Sequence, residues 1–600
     1  MLGTERLEIE LDIESKKIEK GRPLRPVPVG VALGIPQPDG STQRLYLAWG
    51  HPSGNNCTKE QAREALLKYW DEVFITHNGI IFDIPVLAFH LDLPERDPLL
   101  THDTLFAAYL NNPHARSLSL KDLAEDWLGI APDEQQEMYD WIMANVPDCR
   151  SRKECGAYIS ETPVSLCGPY AIGDIYRTRE LYEFLKPTIQ DMLEPYNRER
   201  TLAPILSRMQ NGGVRVDETR LRDDCHKANI KRALLDQLIR EHLKVGPDFE
   251  VKDAALAAVL KERGYTGFIM TPTGKPSMGK ASLEAVLETD PKLKSLLASR
   301  SMYDTLIGTF MEPWLRYCQS NGGRIHPSYN QVRNPDGFGT RTGRLSSSDP
   351  NGQNVPKNKG LDYWGDPFPD MRTYLLPEVG QVWFCGDFKS QEPRLTAHFE
   401  CGDLMQAYID DPQLDCYLWI KNLVGGDVTR FEAKQIFLGL VYSMGLAALA
   451  GKVGCESARA KYLRYTIKNM LSDVAELDSE CKKRFKMGMP IKTLGGRLYY
   501  CEPGQSPWGG TWDYKALNTL IQGSAADQGK EAMIYLDPRI SAIGGRILVP
   551  VHDEINSSVF EKDIPYVEEI YQEAANHLKC DVPMIFDVGY GKDWAVAKPD

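Results

Sequence analysis

The segment Val382-Trp-Phe-Cys-Gly-Asp387-Phe-Lys-Ser-Gln-Glu-Pro-Arg394 runs from an apolar stretch into a polar one. Its apolar start predicts a strand that ends at Asp387. The stretch Val549-Pro-Val-His-Asp553-Glu554-Ile repeats this arrangement later in the chain. Neighbouring residues of a strand point to opposite faces, so only one of Asp553 and Glu554 can share a metal ion with Asp387. We predict that Asp553 does. The alternative for either acid alone is an ordinary loop or strand end.

A helix with a polar start is predicted between these two segments. One of its faces consists of residues at intervals of four, which lie one above another on a helix: Arg430, Lys434, Leu438 and Tyr442. One interpretation is a solvated first turn that leads into a buried helix. The other is a surface whose cations bind a triphosphate while its later residues stack on a base.

Carboxylates also recur near the amino terminus. Asp12 and Glu14 are two residues apart, so on a strand they share one face and repel each other. Asp83 follows an apolar run, and Tyr170 precedes Asp174 by one helical turn. Such acids are stable on a solvated edge or around a divalent cation, and hard oxygen ligands suit Mg²⁺ or Mn²⁺.

The order of predicted elements divides the 600 residues into two or three domains, since a single core rarely exceeds about 300 residues. The first 190 or so residues alternate strands with helices, which indicates an α/β module. A long helix over 181–209 is predicted to end at Asn211-Gly-Gly213. Farther along, the pattern predicts helices over 221–300, loops and short strands over 322–361, helices over 391–487, and a strand pair around 547–559.

Composition narrows the class of protein. The chain has 70 Lys and Arg against 83 Asp and Glu, a net charge of −13, which argues against a wholly basic nucleic-acid coat. The stretch 452–500 is nevertheless basic, as a phosphate-facing surface would be. The 13 cysteines include no Cys-x-x-Cys pair, and no apolar run reaches the roughly 18 residues of a membrane span. We therefore expect no membrane association and a cytoplasmic location.

The amino-terminal motifs resemble those of proofreading 3′ to 5′ exonucleases with the DnaQ-like, ribonuclease H-like fold. Asp12-Ile-Glu14, Asn78-Gly-Ile-Ile-Phe-Asp83 and Tyr170-Ala-Ile-Gly-Asp174 stand in the order of that family, over most of residues 5–190. The resemblance implies that two divalent cations are held by four acids: Asp12, Glu14, Asp83 and Asp174. It also implies that Tyr170 orients the attacking water. We interpret Asp103 as structural, because a helix amino-terminal cap explains it as well.

The remaining motifs resemble those of family A DNA polymerases over about residues 195–600. The matching segments are Glu199–Asp217, Thr271–Ser277, Thr342–Pro356, Asp387–Arg394, Arg430–Tyr442, Asn518–Asp527, Val551–Glu554 and Val588–Trp594. Each motif alone is a modest signal, whereas the ordered set is highly specific.

This second resemblance implies a role for each residue. Asp387 and Asp553, with the backbone carbonyl of Phe388, would hold two Mg²⁺ ions. Arg430 and Lys434 would bind the triphosphate, with Lys434 placed to protonate the leaving pyrophosphate. The nucleotide site would be completed by Leu438, Tyr442 and Glu392, of which Glu392 crowds the 2′ position of the sugar. The residues that would contact DNA are Arg344, Gln522, His552, Asn351 and Gln353.

Leu438 and Tyr417 are among the residues that depart from the family pattern. Leu438 stands where the family usually has Phe or Tyr, so an aromatic platform is replaced by an aliphatic side chain. Our hypothesis is that this alters selection of the incoming sugar or base; the alternative is a core leucine compensated by Phe437. Tyr417 stands in the place of a family histidine that contacts phosphate, so the resemblance does not carry that contact over to this chain.

Taken together, the resemblances imply an α/β and α+β multidomain protein. They predict a ribonuclease H-like exonuclease in residues 1–190 and a right-hand polymerase in 195–600, with the thumb about 217–320, the palm about 321–410 and 500–600, and the fingers about 411–499. We expect a proofreading replicative polymerase of phage type, since no 5′ nuclease module precedes Asp12, working in the cytoplasm of a bacterial host.

The expected partners are primer-template DNA and deoxynucleoside triphosphates, together with an unidentified processivity factor, helicase or primase. Two alternatives stay open at this point: a cellular repair or translesion polymerase of the same family, and a catalytically idle DNA-binding scaffold.

Overall fold

The computed structural model describes residues 6–271, 273–333, 339–357, 360–505 and 509–598. Pro272, which belongs to one of the predicted motifs, lies outside these residues. The amino-terminal elements are β1 (Glu8–Ser15), β2 (Pro28–Pro36), β3 (Thr42–Ala48), α1 (Lys59–Tyr69), β4 (Val73–Thr76), α2 (Asp83–Leu91), β5 (Thr101–Asp103), α3 (Thr104–Asn111), α4 (Leu120–Leu128), α5 (Asp133–Asn145) and α6 (Val164–Asp191).

The first five strands form one mixed sheet in the order β3-β2-β1-β4-β5. β1 is antiparallel to β2 and parallel to β4, which in turn is parallel to β5. The predicted alternation of strands and helices is therefore present in this part of the chain. Helix α6 packs on β1 and β2 and so brings its side chains to the centre of the sheet.

The middle of the chain is mostly helical, with short strands. Its elements are α7 (Leu193–Gly212), β6 (Val214–Val216), α8 (Glu218–His242), α9 (Asp253–Glu262), α10 (Lys280–Val286), α11 (Pro291–Thr305), α12 (Glu312–Ser320), β7 (Arg324–Ile325), β8 (Ser328–Asn330), β9 (Ser346–Ser348), β10 (Leu375–Leu376) and β11 (Val382–Phe388). The helices predicted over 221–300 are confirmed.

The prediction of a single long helix over 181–209 is wrong in one respect, because the helix is interrupted at Met192. This residue leaves helical geometry (φ −126°, ψ 43°) between α6 and α7. The break lets its buried side chain join the apolar cluster that both helices cover, together with Leu185 and Tyr196. The predicted end is correct, since α7 stops at Gly212 and the next residue has a left-handed φ of 60°.

Helices dominate again after β11. The elements are α13 (Gln391–Glu400), α14 (Asp403–Asp410), α15 (Cys416–Val424), α16 (Arg430–Val441), α17 (Leu446–Val453), α18 (Ser457–Met470), α19 (Ser472–Lys486), β12 (Ile491–Lys492), β13 (Leu498–Tyr499), α20 (Ala516–Ala542), β14 (Arg546–Val551), β15 (Glu554–Val559), α21 (Ile564–Ala575), β16 (Phe586–Gly591) and α22 (Trp594–Ala597). No helix in the described ranges is both long and apolar enough to cross a bilayer.

A four-stranded antiparallel sheet in the order β14-β15-β11-β16 carries the carboxyl-terminal acids. Asp387, near the end of β11, lies opposite Glu554 on β15 and Asp587 on β16. The predicted strand pair around 547–559 is thus confirmed as a hairpin of β14 and β15.

The placement of Asp553 within a strand is corrected by the structure. His552 and Asp553 form the turn between β14 and β15, and His552 takes a left-handed φ of 56° to close it. The rule that neighbouring strand residues face opposite sides therefore does not separate Asp553 from Glu554. Glu554 is instead the first residue of β15, where its side chain is buried.

Candidate active sites

Asp387 and Asp553 meet at the end of the four-stranded sheet. The N–H of Phe388 donates to the carbonyl of Asp553 over 2.9 Å, which holds the hairpin turn against the end of β11. Burial, and then repulsion from Asp553, raise the pKa of Asp387 to about 6. Burial also raises the pKa of Asp553. Two adjacent buried carboxylates repel each other when both are ionised. A bound divalent cation offsets this repulsion, so the pair fits a site for hard divalent cations.

A narrow cavity opens beside these acids. It is lined, among others, by Arg344, Gln353, Phe388, His552 and Asp553. Residues from three separate predicted motifs are therefore brought to one place by the fold.

Glu392, near the start of α13, links the loop that carries Arg344 to the end of α16. Its carboxylate accepts hydrogen bonds from Arg344 at 2.5 Å and from the hydroxyl of Tyr442. Gln522, on α20, is close enough to Tyr442 to oppose the burial that raises the pKa of its hydroxyl. Three of the residues predicted to contact nucleotide or DNA, Glu392, Arg344 and Tyr442, thus form one hydrogen-bonded group.

The cations predicted on α16 are exposed on its first two turns. A capping box between Thr429 and Glu432 satisfies backbone N–H groups and fixes where the helix begins. Arg430 pairs with Asp415 at 2.6 Å. Lys434 lies over the ring of Tyr417, 5.5 Å from its centre.

The predicted α16 face continues at Leu438, which is half-buried against the core of this helical region. Phe437 is completely buried in that same core. Because Phe437 points inward, it offers no aromatic surface in place of Leu438. Tyr442 comes directly after the end of the helix.

Asn351 and Gln353, both predicted to contact DNA, have partners within the protein. Asn351 accepts the backbone N–H of Gln353 at 2.9 Å, and the buried Gln353 amide donates to the carbonyl of Pro550 at 3.1 Å. These bonds tie the loop to β14, so a contact of either side chain with DNA stays a prediction.

A second acid cluster lies on the five-stranded sheet. Asp12 and Glu14 share a face of β1, and Asp174 reaches them from α6, so that one carboxylate oxygen of each lies within 4.8 Å of the others. Asp83, the first residue of α2, accepts the N–H of Ile13 at 2.8 Å. All four acids predicted as metal ligands therefore converge.

The protonation of this cluster is strongly perturbed. Burial, followed by repulsion from Asp174, raises the pKa of Glu14 to about 8. Burial raises the pKa of Asp83 to about 7 and, with repulsion from Asp83 and Glu14, raises the pKa of Asp12 well above its usual range. These acids repel one another when ionised, and a hard divalent cation that binds their oxygens would offset that repulsion.

Two lysines that lie near the acids were not predicted from the sequence. Lys121 on α4 donates to the hydroxyl of Tyr170 at 3.0 Å and to Asp174 at 2.6 Å. Lys598, directly after α22, lies 2.6 Å from Asp387 and also bonds Glu554. No motif marks either lysine, and the only available signal was that Lys121 lies between the second and third exonuclease-like motifs.

Asp103 has the structural role predicted for it. It is the amino-terminal cap of α3, where its side chain accepts the N–H of Leu105 at 3.0 Å. It also accepts the N–H of Asn78 at 2.8 Å. These bonds hold the loop that leads to Asp83.

Comparison with known proteins agrees with this geometry. The family model for DNA polymerase family A matches residues 231–596, which is more than half of the chain. The DNA polymerase DpoZ of Vibrio phage phiVC8 is 29% identical over 532 residues, covering 81% of this chain and 79% of that protein. The DNA-directed DNA polymerase of Pseudomonas phage M6 is 30% identical over 465 residues, 68% of this chain and 66% of its own.

Cellular proteins are similar as well. DNA polymerase I of Pseudomonas aeruginosa is 26% identical over 536 residues, 86% of this chain but 55% of that protein. Among solved structures, the POL domain of Pol1 from M. smegmatis, in complex with DNA primer-template and dNTP, superposes with a TM-score of 0.77. That match covers 99% of this chain and 97% of the other at 22% identity, and so supports the fold. The chain belongs to DNA polymerase family A and is a DNA polymerase of the phage-like type.

Proposed function

We propose that this polymerase extends DNA primers at the site of Asp387 and Asp553 and removes misincorporated nucleotides at the second acid cluster. The observation that carries the proposal is the meeting of these residues in two separate clusters, each built from motifs far apart in the chain. The two sites lie on different sheets, so synthesis and removal occur at different places in the molecule.

The donor sets suit Mg²⁺ or Mn²⁺, because both clusters offer carboxylate oxygens. Asp387, Asp553 and the carbonyl of Phe388 would hold two cations at one site. At the other the ligands would be Asp12, Glu14, Asp83 and Asp174. Bound pairs of such cations lower the pKa of an attacking hydroxyl or water and neutralise charge on the leaving group.

At the polymerising site the protein binds and orients the nucleotide. Arg430 and Lys434 are exposed and bind the triphosphate, and Lys434 gives a proton to the leaving pyrophosphate. Glu392, held by Arg344 and Tyr442, excludes a 2′-hydroxyl and so favours deoxynucleotides. Its two partners fix the carboxylate in one position, as a steric filter requires.

The DNA contacts follow from the same group of side chains. Arg344 and His552 line the cavity beside Asp553. Together with Gln522, and with Asn351 and Gln353 on the adjacent loop, they would reach the minor groove or the primer end. Minor-groove acceptors are common to every correct base pair, so such contacts sense geometry without reading sequence.

At the exonuclease site Tyr170 and Lys121 position the reacting groups. The hydroxyl of Tyr170 is buried among the acids and orients the attacking water. Lys121 fixes this hydroxyl together with Asp174. The ordered motifs and the five-stranded sheet support a ribonuclease H-like exonuclease in residues 1–190, followed by the palm, fingers and thumb in 195–600.

The biological role that we propose is phage DNA replication, with primer-template DNA and deoxynucleoside triphosphates as substrates. The similarity to two phage polymerases supports it. The retention of all six carboxylates disfavours an idle scaffold. A repair or translesion role predicts efficient extension of mismatched primer ends, whereas a replicative role predicts their removal.

Primer extension with matched and mismatched ends tests the whole proposal. Asp553→Ala should abolish extension and keep degradation, while Asp12→Ala should do the reverse. Glu568→Ala, at an exposed acid on α21, is the control and should leave both activities intact. Loss of both activities in either aspartate variant, with folding preserved, would contradict two independent sites.

A further inference from the structure

Lys598 lies where a cation is expected in the polymerising site. Its Nζ is 2.6 Å from Oδ2 of Asp387 and also bonds Oε2 of Glu554. Within the described ranges, no other Lys or Arg is in ion-pair contact with these two acids. The ammonium therefore uses a carboxylate lone pair that a divalent cation would also need.

The cap and the packing of helix α22 hold the lysine in this position. Asp593 caps α22 by accepting the N–H of Val596 at 2.9 Å. The next residue, Trp594, is completely buried and stacks on Trp383 of β11, with ring centres 5.6 Å apart and planes inclined by 11°. The helix that precedes Lys598 is thus fixed to the strand that carries Asp387.

Glu554 is hydrogen-bonded to the same helix, α22. Its Oε1 accepts hydrogen bonds from Nε1 of Trp594 at 2.6 Å and from Nδ2 of Asn556 at 2.8 Å. Its other oxygen is left for Lys598. Glu554 therefore keeps two hydrogen bonds when the lysine is changed, but its buried carboxylate then has no cationic partner among the described residues.

We propose that Lys598 is an internal counter-ion of the polymerising site. It pairs with Asp387 in the metal-free protein and releases this carboxylate when a divalent cation binds. The inference rests on the proposed use of Asp387 as a metal ligand. The lysine stabilises the empty site by offsetting the repulsion among the acids, and by the same contact it weakens cation binding there. The ammonium keeps its bond to Glu554 in both states.

The test measures cation binding directly, on the full chain, by electron paramagnetic resonance of free Mn²⁺. Lys598→Gln should tighten Mn²⁺ binding by roughly fivefold or more, as expected for competing ligands. Lys598→Arg keeps the charge and should stay near wild type. The control is Lys592→Gln, at an exposed lysine of the same segment. The exonuclease cluster is identical in all variants, so differences between them belong to the polymerising site.

Asp387→Asn identifies which binding events depend on this carboxylate. If Asp387→Asn leaves Mn²⁺ binding unchanged, the proposed metal site itself fails. If Asp387→Asn removes a binding event while Lys598→Gln alters none, the metal site stands and the counter-ion role is overturned.

Thermal unfolding supplies a second readout. Lys598→Gln should lower the melting temperature in EDTA and show a larger recovery than wild type on addition of MgCl₂. An equal loss in both buffers means that Lys598 only anchors α22, and it overturns the proposal. An increase in KM for nucleotides with unchanged Mn²⁺ binding assigns the lysine to phosphate instead and also overturns it.

Discussion

Lys121 donates a hydrogen bond from Nζ to Oδ2 of Asp174 across 2.6 Å and so joins helix α4 to helix α6 inside the acid cluster. The same ammonium lies 4.2 Å from the centre of the Tyr170 ring. A side chain that fixes both a proposed metal ligand and the residue proposed to orient water should matter for degradation.

We expect Lys121→Met to lower the rate of 3′ end removal by about 10- to 100-fold, the usual cost of losing a partner that orients a metal ligand. Extension should be unchanged, because the polymerising site is on another sheet. The rates are measured on single-stranded DNA and on matched primers. Lys153→Met, at an exposed lysine, is the control. Equal loss of both activities would show a general defect in folding.

The raised pKa of Glu14 predicts how stability depends on pH. Its carboxyl releases a proton near 4.5 in the unfolded chain but only near pH 8 in the metal-free folded protein. Between these values the folded state binds more protons than the unfolded state, so the free energy of unfolding falls as pH rises through the window. Metal binding requires the ionised acid, so Mg²⁺ should stabilise the protein more at the alkaline end.

Glu14→Gln isolates this effect, because the amide does not titrate. In EDTA at about pH 8 we expect the variant to be more stable than wild type by about 1 kcal/mol or more, and less dependent on pH. Thermal or urea unfolding from about pH 5 to 8.5 measures the difference. Asp83 and Asp103 also have raised pKa values and are present in both proteins. Parallel pH profiles for the two proteins would contradict the assignment to Glu14.

The sequence predicted most elements because these depend on local patterns, whereas the membership of the acid clusters came from the ordered motifs and the family resemblances that they carry. Asp12 and Glu14 alternate along a strand, and Arg430 and Lys434 recur at helical spacing. Asp553 was misplaced because two-residue hairpin turns are signalled mainly by glycine or by asparagine followed by glycine, and here the turn is formed by His552 and Asp553.

The lysines were not predictable for a different reason. Lys598 reaches Asp387 only because Trp594 stacks on Trp383, and that contact depends on the three-dimensional packing of two distant segments. Lys121 reaches Asp174 through the packing of α4 on α6. Neither pairing has a period or a spacing that a linear pattern could reveal.

The position of Leu438 predicts altered nucleotide selection. Phe437 is buried, so it cannot replace the aromatic platform that the family usually has. Leu438→Phe should therefore add stacking on the nascent base pair, for which about 1 to 3 kcal/mol is the general scale of aromatic contacts with bases. We expect a changed ratio of dideoxynucleotide to deoxynucleotide incorporation and a changed misincorporation rate. Leu440→Phe, two residues farther along and so on the other side of the helix, is the matched control. Equal effects of both variants would contradict the hypothesis.

Tyr109 on α3 joins the amino-terminal sheet region to the loop that carries Arg344. Its hydroxyl donates to the carbonyl of Thr340 at 2.5 Å and accepts the N–H of Gly343 at 3.1 Å. The tyrosine is completely buried, and the guanidinium of Arg497 lies 4.3 Å from the centre of its ring. The hydroxyl therefore fixes the loop just before Arg344.

We expect Tyr109→Phe to cost about 1 to 3 kcal/mol of stability, since the ring stays packed while two backbone groups lose a partner. The freed loop should raise the KM for primer-template DNA more than it lowers kcat, because Arg344 is then held less firmly against Glu392. Steady-state extension kinetics and urea unfolding measure the two effects. Tyr182→Phe removes a buried hydroxyl that bonds Glu8 and not the Arg344 loop, and should change stability without changing the KM. An unchanged KM in Tyr109→Phe would show that the loop is fixed by its other contacts.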